Sequence, residues 1–327
     1  MDFTDIGSIK ALSAAWAKFA RGKASRTDVQ EYKSQLQKRV ERLHHTLMLG
    51  RYRHGLYQRF TICDPKTRQI HKATVEDRLV HQAVVSAIEP LFERRFIYDS
   101  YSCRQGKGAH AGVRRLRQFL RQASSNNTRK VYVLKCDIKQ IFASIDHEVL
   151  MERLALRLDD ERILWLLREI LLSHGADTGR GIPLGNVTSQ LFANVYLHEL
   201  DLYVKQTLGI KRYARYCDDF VIVHDDATYL AGLITPIRVF LHDVLRLQLH
   251  PDKVTIRSWQ QGVDFLGFVL RPHTTTLRTK TRQRMMAKVN ARNLSSYVGI
   301  CSHANAYHVE QVVRLAAWQR EVLSEMG

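Results

Sequence analysis

The segment RYCDDFVIV at 215–223 constrains this chain more than any other part of it. Two short runs rich in β-branched and aromatic residues flank the acidic pair Asp218-Asp219, and they predict strands near 211–216 and 220–224. Two carboxylates confined to the turn between these strands repel each other and need a cation nearby to stay ionised. The segment therefore predicts a strand hairpin that presents carboxylates to a metal ion.

An acidic pair alone is weak evidence, as two other pairs in the same chain show. Asp159-Asp160 fits a helix start, and Asp225-Asp226 fits a loop after a strand. Neither pair lies between two apolar strands, so neither is expected to carry chemistry.

A third carboxylate, Asp137, lies near the end of a strand predicted at 131–138. Carboxylates from neighbouring strands are hard oxygen ligands that suit Mg²⁺. Two such ions activate a 3′-hydroxyl and stabilise a leaving pyrophosphate. The three aspartates thus indicate two-metal-ion phosphoryl chemistry.

Composition narrows the class of partner. The chain of 327 residues has 50 Lys+Arg against 32 Asp+Glu, a net charge of +18 and a pI near 9.9, which favours a polyanion. A membrane surface is disfavoured because no apolar run approaches about 20 residues, and the start lacks a signal-peptide pattern, so a cytoplasmic protein is expected. Five scattered cysteines without a C-x-x-C pair support neither a zinc site nor a disulfide framework.

Hydrophobic periodicity places helices and strands around these residues. Residues 10–50 form a basic helical lead-in, and the tail at 271–292 carries seven Lys or Arg and no acid, which favours a surface that tracks a nucleic-acid backbone. The other predicted elements are helices at 76–92, 147–157 with Asp146 as N-cap, 160–173, 189–206 and 230–247, and strands at 57–62 and 263–270.

Seven motifs along the chain resemble those of a reverse transcriptase, in the order that the family has them. They are Asp77–Ala83 (DRLVHQA), Ser100–His110 (SYSCRQGKGAH), Lys135–Asp146 (KCDIKQIFASID), Gly181–Asn194 (GIPLGNVTSQLFAN), Tyr216–Asp219 (YCDD), His250–Lys253 (HPDK) and Phe265–Phe268 (FLGF). One motif can arise by chance, but seven in sequence are specific. The resemblance extends from Tyr52 to about Trp318.

The resemblance implies an α+β right-hand polymerase fold with fingers, a palm built on an antiparallel sheet, and a helical thumb. The implied boundaries are a basic N-terminal helical extension at 1–50, fingers at 51–130, a palm with finger-palm helices at 131–272, and a thumb at 273–327. The implied enzyme is an RNA-directed DNA polymerase that uses an RNA template, a DNA or RNA primer, and deoxynucleotides.

The same resemblance assigns roles to single residues. The metal ligands are Asp137, Ile138, Asp218 and Asp219, with two Mg²⁺ ions for which Mn²⁺ is a possible substitute. The nucleotide residues are Arg68 on the triphosphate, Phe142 beneath the sugar, Leu184 and Gln190. The primer and template residues are Lys253, Gly267 and Arg104.

The aromatic ring of Phe142 would clash with a 2′-hydroxyl, which favours deoxynucleotides. Each of these roles has a structural alternative. Phe142 could be a core residue and Arg68 an exposed loop residue. Lys253 could be a surface lysine, and Gly267 could mark a strand bulge.

One motif points to a subgroup. Group II intron enzymes generally have glutamine at the position of Leu184 and proline at that of Gln190, whereas this chain reads LGNVTSQ at 184–190. This resembles diversity-generating retroelement enzymes, which copy a template-repeat RNA with errors opposite adenines and bind a small basic accessory variability protein. Leucine can only pack where glutamine would hydrogen-bond, so misaligned pairs should be better tolerated.

Other readings stay open. Within the enzyme class, the alternatives are a defence-associated or a group II-like bacterial reverse transcriptase, all of them bacterial or phage-encoded. In another class, the alternative is a catalytically silent RNA-binding scaffold with a polymerase fold, although three intact carboxylates speak against it.

Overall fold

The computed structural model describes residues 1–63 and 67–325, and these form two compact units. The first unit comprises residues 1–98, 138–208 and 237–249, and the second comprises the remaining described residues. Both units are discontinuous in sequence, so the functional division at 50, 130 and 272 stays a prediction. In the part of the chain that the structure describes, no helix is long and apolar enough to cross a membrane.

The first unit is mainly helical. Its helices are α1 (Thr4–Gly7), α2 (Ile9–Phe19), α3 (Thr27–Lys33), α4 (Leu36–Met48), α5 (Val75–Glu93), α7 (Ile141–Ser144), α8 (His147–Ala155), α9 (Glu161–Leu172), α10 (Val187–Leu202) and most of α12 (Ile234–Asp243). A π-helical turn, Tyr203–Thr207, continues α10, and the strands β1 (Gln58–Ile62) and β2 (Arg68–Lys72) form an antiparallel hairpin.

Helix α5 organises the first unit because it packs against both α2 and α10. Thr74 caps its start by accepting a hydrogen bond from the Asp77 N–H at 3.1 Å. The buried Asp77 carboxylate then accepts hydrogen bonds from the Tyr52 hydroxyl at 2.7 Å and from the Gly55 N–H at 3.2 Å. The segment that leads into β1 is therefore tied to α5 by satisfied buried polar groups.

The second unit contains two antiparallel sheets. Its strands are β3 (Tyr132–Asp137), β4 (Tyr213–Tyr216), β5 (Asp219–His224), β6 (Thr255–Ser258), β7 (Val263–Phe265), β8 (Phe268–Leu270) and β9 (Thr275–Leu277). Its helices are α6 (Ala109–Ala123), α11 (Ala227–Gly232), α13 (Thr279–Lys288), α14 (Leu294–Cys301) and α15 (Tyr307–Glu325), with a 3-10 turn at Trp259–Gln261. The sheets have the strand orders β4-β5-β3-β6 and β7-β8-β9.

The core of the second unit lies between these sheets and helix α6. Leu116 and Phe119 of α6 pack in one buried cluster with Val133 of β3, Val221 of β5 and Phe265 of β7. A smaller buried cluster joins the C-terminal helices α13, α14 and α15. Burial of one face of β3 and β5 fixes the register of the pair, because a slip of one residue would expose every apolar side chain on that face.

Most of the predicted elements are confirmed, and three need correction. The helix predicted at 230–247 is two helices, α11 and α12, and the strand predicted at 263–270 is the hairpin β7–β8. The hairpin turns at Leu266 and Gly267, whose φ angles of 51° and 92° are incompatible with a continuous strand. The strand predicted at 220–224 begins one residue earlier, at Asp219.

Candidate active site

Strand register brings two of the three predicted carboxylates together. Asp137, the last residue of β3, lies directly opposite Asp219, the first residue of β5. Directly opposed residues on antiparallel strands have Cβ atoms about 4.5 to 5.5 Å apart. Asp137 is only 9% exposed, so its carboxylate is largely removed from water.

The third carboxylate, Asp218, lies in the two-residue turn between β4 and β5. Tyr216 pairs with Asp219, which leaves Cys217 and Asp218 as the turn. Cys217 has φ of 54° and Asp218 does not have a positive φ, which is the pattern of a type II′ turn. That position ordinarily has glycine, so the hairpin holds a non-glycine residue in a strained conformation beside the carboxylates.

A buried arginine supports this turn from within the second unit. Arg215 is 0% exposed, and its guanidinium donates hydrogen bonds to the Cys217 carbonyl and to the Ser100 hydroxyl, each at 3.3 Å. The Tyr101 N–H donates to the Arg215 carbonyl at 2.9 Å. The strained turn is thus fastened to the segment that carries the Ser100–His110 motif.

Two lysines lie against the carboxylates. The Lys253 ammonium donates to Asp137 Oδ1 at 2.7 Å. The Lys135 ammonium lies 3.6 Å from Asp219 Oδ1 and donates to the Asp264 carbonyl of β7 at 3.2 Å. Lys135 therefore links a candidate metal ligand to the β7–β8 hairpin.

Electrostatics at the pair favour a bound cation. Burial raises the pKa of Asp219, and the charges of Asp137 and Asp218 raise it further, while the Lys135 ammonium opposes these effects. A divalent cation would relieve this repulsion, and the donors are hard oxygens, so the residues present fit Mg²⁺. This fit rests on ligand chemistry and on the β3–β5 register, because among the described residues no three or more His, Cys, Asp or Glu side chains already converge on one metal position.

The predicted nucleotide residues belong to the first unit. Arg68 begins β2 and is exposed. Half-buried Phe142 lies in α7, and its carbonyl accepts from the Ile182 N–H at 2.7 Å. The Leu184 carbonyl accepts from the His71 N–H at 3.0 Å, which joins the 181–186 loop to β2, whereas Gln190 is exposed on α10. Backbone hydrogen bonds thus connect the Phe142 and Leu184 segments and the Arg68 strand.

The remaining predicted residues lie at three separate places. Ile138 follows Asp137 in sequence and pairs with Leu249 within the first unit. In the second unit, the Gly267 carbonyl accepts from the Arg278 N–H at 2.9 Å at the start of α13. Arg104 donates to the Ser100 carbonyl at 2.8 Å, beside the segment that holds Arg215.

Sequence reasoning missed Lys135 and Arg215 as parts of the site. Lys135 is the first residue of the Lys135–Asp146 motif, and Arg215 is the first residue of the segment 215–223 that flanks the acidic pair. A charged residue inside an otherwise apolar strand is a signal for a buried partner, because such residues are rarely buried unless paired.

Comparison with known proteins identifies the family of this chain. A family model described as "Reverse transcriptase (RNA-dependent DNA polymerase)" matches residues 63–270, more than half of the chain. Protein YkfC of Escherichia coli (strain K12) is 28% identical over 240 residues, 62% of this chain and 62% of that protein. The Group II intron-encoded protein LtrA of Lactococcus lactis subsp. cremoris is 23% identical over 301 residues, 71% of this chain and 48% of that protein. The alignments span less than two thirds of these relatives.

Two solved telomerase structures share the fold. Telomerase from Candida albicans, in complex with a fragment of telomeric RNA, has a TM-score of 0.55 at 12% identity, covering 82% of this chain and 54% of that chain. Apo telomerase from Candida tropicalis has a TM-score of 0.52 at 12% identity, covering 80% and 56%. The predicted right-hand polymerase fold, of class α+β with antiparallel sheets, is confirmed at the level of fold.

Proposed function

We propose that this chain, which belongs to the reverse transcriptase family, extends a DNA or RNA primer along an RNA template with deoxynucleotides. One observation carries the proposal, namely that β3 and β5 place Asp137 opposite Asp219 beside the strained turn that holds Asp218. Lys135 and Lys253 offset part of the charge, but the pKa of Asp219 is still raised with Lys135 beside it, so the arrangement favours a further cation over a purely structural role.

The aspartates would hold two Mg²⁺ ions, with Mn²⁺ as a substitute, and the Ile138 carbonyl would complete the ligand set. When bound, these ions activate the primer 3′-hydroxyl and stabilise the pyrophosphate that leaves. Lys253 already contacts Asp137 and supplies positive charge where phosphates would be bound. Lys135, on strand β3, lies beside the Asp219 carboxylate at the start of β5 and would hold it in position.

Substrate roles follow from the family resemblance of single residues. Arg68 would bind the triphosphate by paired hydrogen bonds, and Phe142 would exclude a 2′-hydroxyl. Gly267 and Arg104 would contact primer and template, and the positive φ of Gly267 supports this role because it brings the backbone to the surface of a tight turn. The division into fingers, palm and thumb at 51–130, 131–272 and 273–327 belongs to the same proposal.

Primer extension tests the activity. Wild-type protein with Mg²⁺, deoxynucleotides and a primed RNA should make cDNA, and Asp218→Asn should reduce the rate by about 10³-fold, which corresponds to roughly 4 kcal/mol of lost transition-state stabilisation. Asp225→Asn is the matched control, because Asp225 belongs to an acidic pair outside the β4–β5 turn and its side chain is 61% exposed. If wild type and Asp218→Asn extend equally poorly, the chain is a scaffold and not a polymerase.

We further propose that the enzyme is error-prone opposite template adenines, as in a diversity-generating retroelement. Half-buried Leu184 supports this proposal, since it replaces a hydrogen-bonding glutamine with a side chain that can only pack. The expected partners are a template-repeat RNA and a small basic accessory variability protein.

Fidelity separates this role from that of an ordinary group II-like enzyme. Leu184→Gln should lower misincorporation opposite adenine several-fold while leaving correct insertion within about twofold, because only mispairs exploit the missing polar restraint. Steady-state insertion kinetics measure both the misincorporation rate and the correct insertion rate opposite template adenine. Wild-type fidelity equal to that of a group II-like enzyme would contradict the proposal, and the activity proposal would remain standing.

A further inference from the structure

A row of arginines on α6 forms a site that the polymerase chemistry does not use. Arg114, Arg117 and Arg121 recur at three- and four-residue spacing, so they share one face of the helix. With Gln118, Gln122 and Asn126 they line a cavity of about 540 Å³.

The charge of this row is unopposed. Between Asp99 and Asp137 the sequence contains no Asp or Glu and nine Lys or Arg. Arg115 pairs with Asp99 at 2.7 Å, but Arg114 and Arg121 are exposed and form no ion pair with any residue that the structure describes. Unpaired guanidinium groups around a concavity attract anions over a Debye length of about 10 Å at 0.1 M salt.

The site is also preorganised. Half-buried Arg117 donates to the Thr275 hydroxyl at 3.1 Å, which fixes its side chain in the cavity wall. The loop that closes the cavity has three consecutive residues at positive φ, Ser125, Asn126 and Asn127, with angles of 48°, 58° and 74°. Such strain persists only where surrounding contacts determine it, and here Asn126 N–H donates to the Arg121 carbonyl at 2.9 Å.

This cavity lies away from the catalytic carboxylates. The loop at 124–130 leads into the start of β3, whereas Asp137 lies at its end. A strand of six residues spans about 17 Å between its first and last Cα atoms. A ligand in the cavity therefore does not contact the reacting atoms.

We infer that this α6 site binds the phosphate backbone of a folded RNA, as an RNA contact additional to the primed template. The distance along the helix from Arg114 to Arg121 is about 10 Å, so the row can contact several successive phosphates of one strand. Guanidinium forks bind phosphates bidentately, and the glutamine and asparagine amides suit ribose 2′-hydroxyls. An anionic membrane fits less well, because membrane-binding helices insert an apolar face, and the apolar residues of α6, such as Leu116 and Phe119, are buried in the core.

The test uses the full chain and two double variants with equal charge loss. Arg114→Gln/Arg121→Gln alters the α6 site, and Lys10→Gln/Arg238→Gln removes two exposed charges from α2 and α12 in the first unit. The probes are a labelled RNA stem-loop of two helical turns, an unstructured oligouridylate, and vesicles containing phosphatidylserine. Binding is measured across a salt series, and circular dichroism checks that both variants melt like wild type.

The α6 variant should weaken stem-loop binding by about tenfold at 0.1 M salt and lower the slope of log K against log salt by about 1 per lost phosphate contact. The control variant should change the stem-loop affinity and the salt slope by much less. Both variants should extend a short primed oligonucleotide at the wild-type rate. Equal losses in the two variants would overturn the inference, since they would report only net charge. Loss of vesicle binding with unchanged stem-loop binding would also overturn it.

Discussion

The two strand hairpins β1–β2 and β4–β5 differ most in burial, and the difference separates their tasks. Every residue of β1 is exposed, whereas β4 and β5 are buried along most of their length. Phe60 of β1 is 43% exposed and Phe220 of β5 is 0% exposed. A buried face fixes strand register, and an exposed hairpin leaves it weakly specified. Carboxylates that hold metal ions need the fixed register of a buried hairpin. An arginine that binds an incoming substrate can lie on an exposed hairpin, where the register is weakly specified.

The largest expected effect is on the free energy of unfolding, and it is found by making the same Phe→Ala substitution in each hairpin. Phe220→Ala should lower the free energy of unfolding by about 3 to 5 kcal/mol, because it removes a fully buried ring and leaves a cavity. Phe60→Ala should change it by less than about 1 kcal/mol. Chemical denaturation followed by circular dichroism measures both, and similar losses in the two variants would break the comparison.

An intermediate effect is expected at the exposed hairpin, on binding and not on stability. Arg68→Gln should raise the KM for deoxynucleotides about tenfold, because glutamine lacks the charge and the paired donors that hold a triphosphate. Arg59→Gln is the control, since Arg59 is also exposed on this hairpin. Equal KM values in the two variants would remove Arg68 from the nucleotide site, and a lower melting temperature would assign it a structural role.

The smallest expected effect concerns the buried hairpin and its charge. The pKa of Asp219 is raised from its ordinary value of 3.8, so the folded state binds this proton more tightly than the unfolded state does. This contribution to stability is therefore present below pH 3.8 and is lost as the pH rises through the raised pKa. In EDTA, Asp219→Asn should melt slightly above wild type at neutral pH, with the difference vanishing in acid. The difference is small because Lys135 already offsets part of the repulsion.

Adding Mg²⁺ should sharpen this result. The ion should raise the melting temperature of wild type and should raise that of Asp219→Asn much less, because the variant lacks one ligand. An Asn variant less stable than wild type at neutral pH in EDTA would contradict the account of the carboxylate repulsion.

Local signals were sufficient to predict much of the fold. The strand β3 follows from its β-branched residues, and the start of α8 follows from Asp146, whose carboxylate accepts from the Glu148 and Val149 N–H groups. The division of 263–270 into two strands was missed, although Gly267 inside a strand pattern is a sign of a turn or bulge. The break between α11 and α12 was missed because their apolar positions continue one pattern.

Contacts between distant parts of the chain were beyond sequence reasoning. Lys253 reaches Asp137 across 116 residues, and Lys135 reaches the Asp264 carbonyl across 129. No periodicity encodes which lysine meets which carboxylate, because that depends on how strands pair in space. The motif order identified the three aspartates, and only the structure gave their counter-charges.

The strained turn also has a consequence for the redox behaviour of the protein. Burial raises the pKa of Cys217 to about 12, so its thiol stays protonated at neutral pH, and only the thiolate reacts readily with alkylating agents and peroxide. Cys63 and Cys103 are exposed and should be modified first. Although Cys217 is the chain neighbour of the candidate metal ligand Asp218, its protonated thiol should make the site resistant to oxidation.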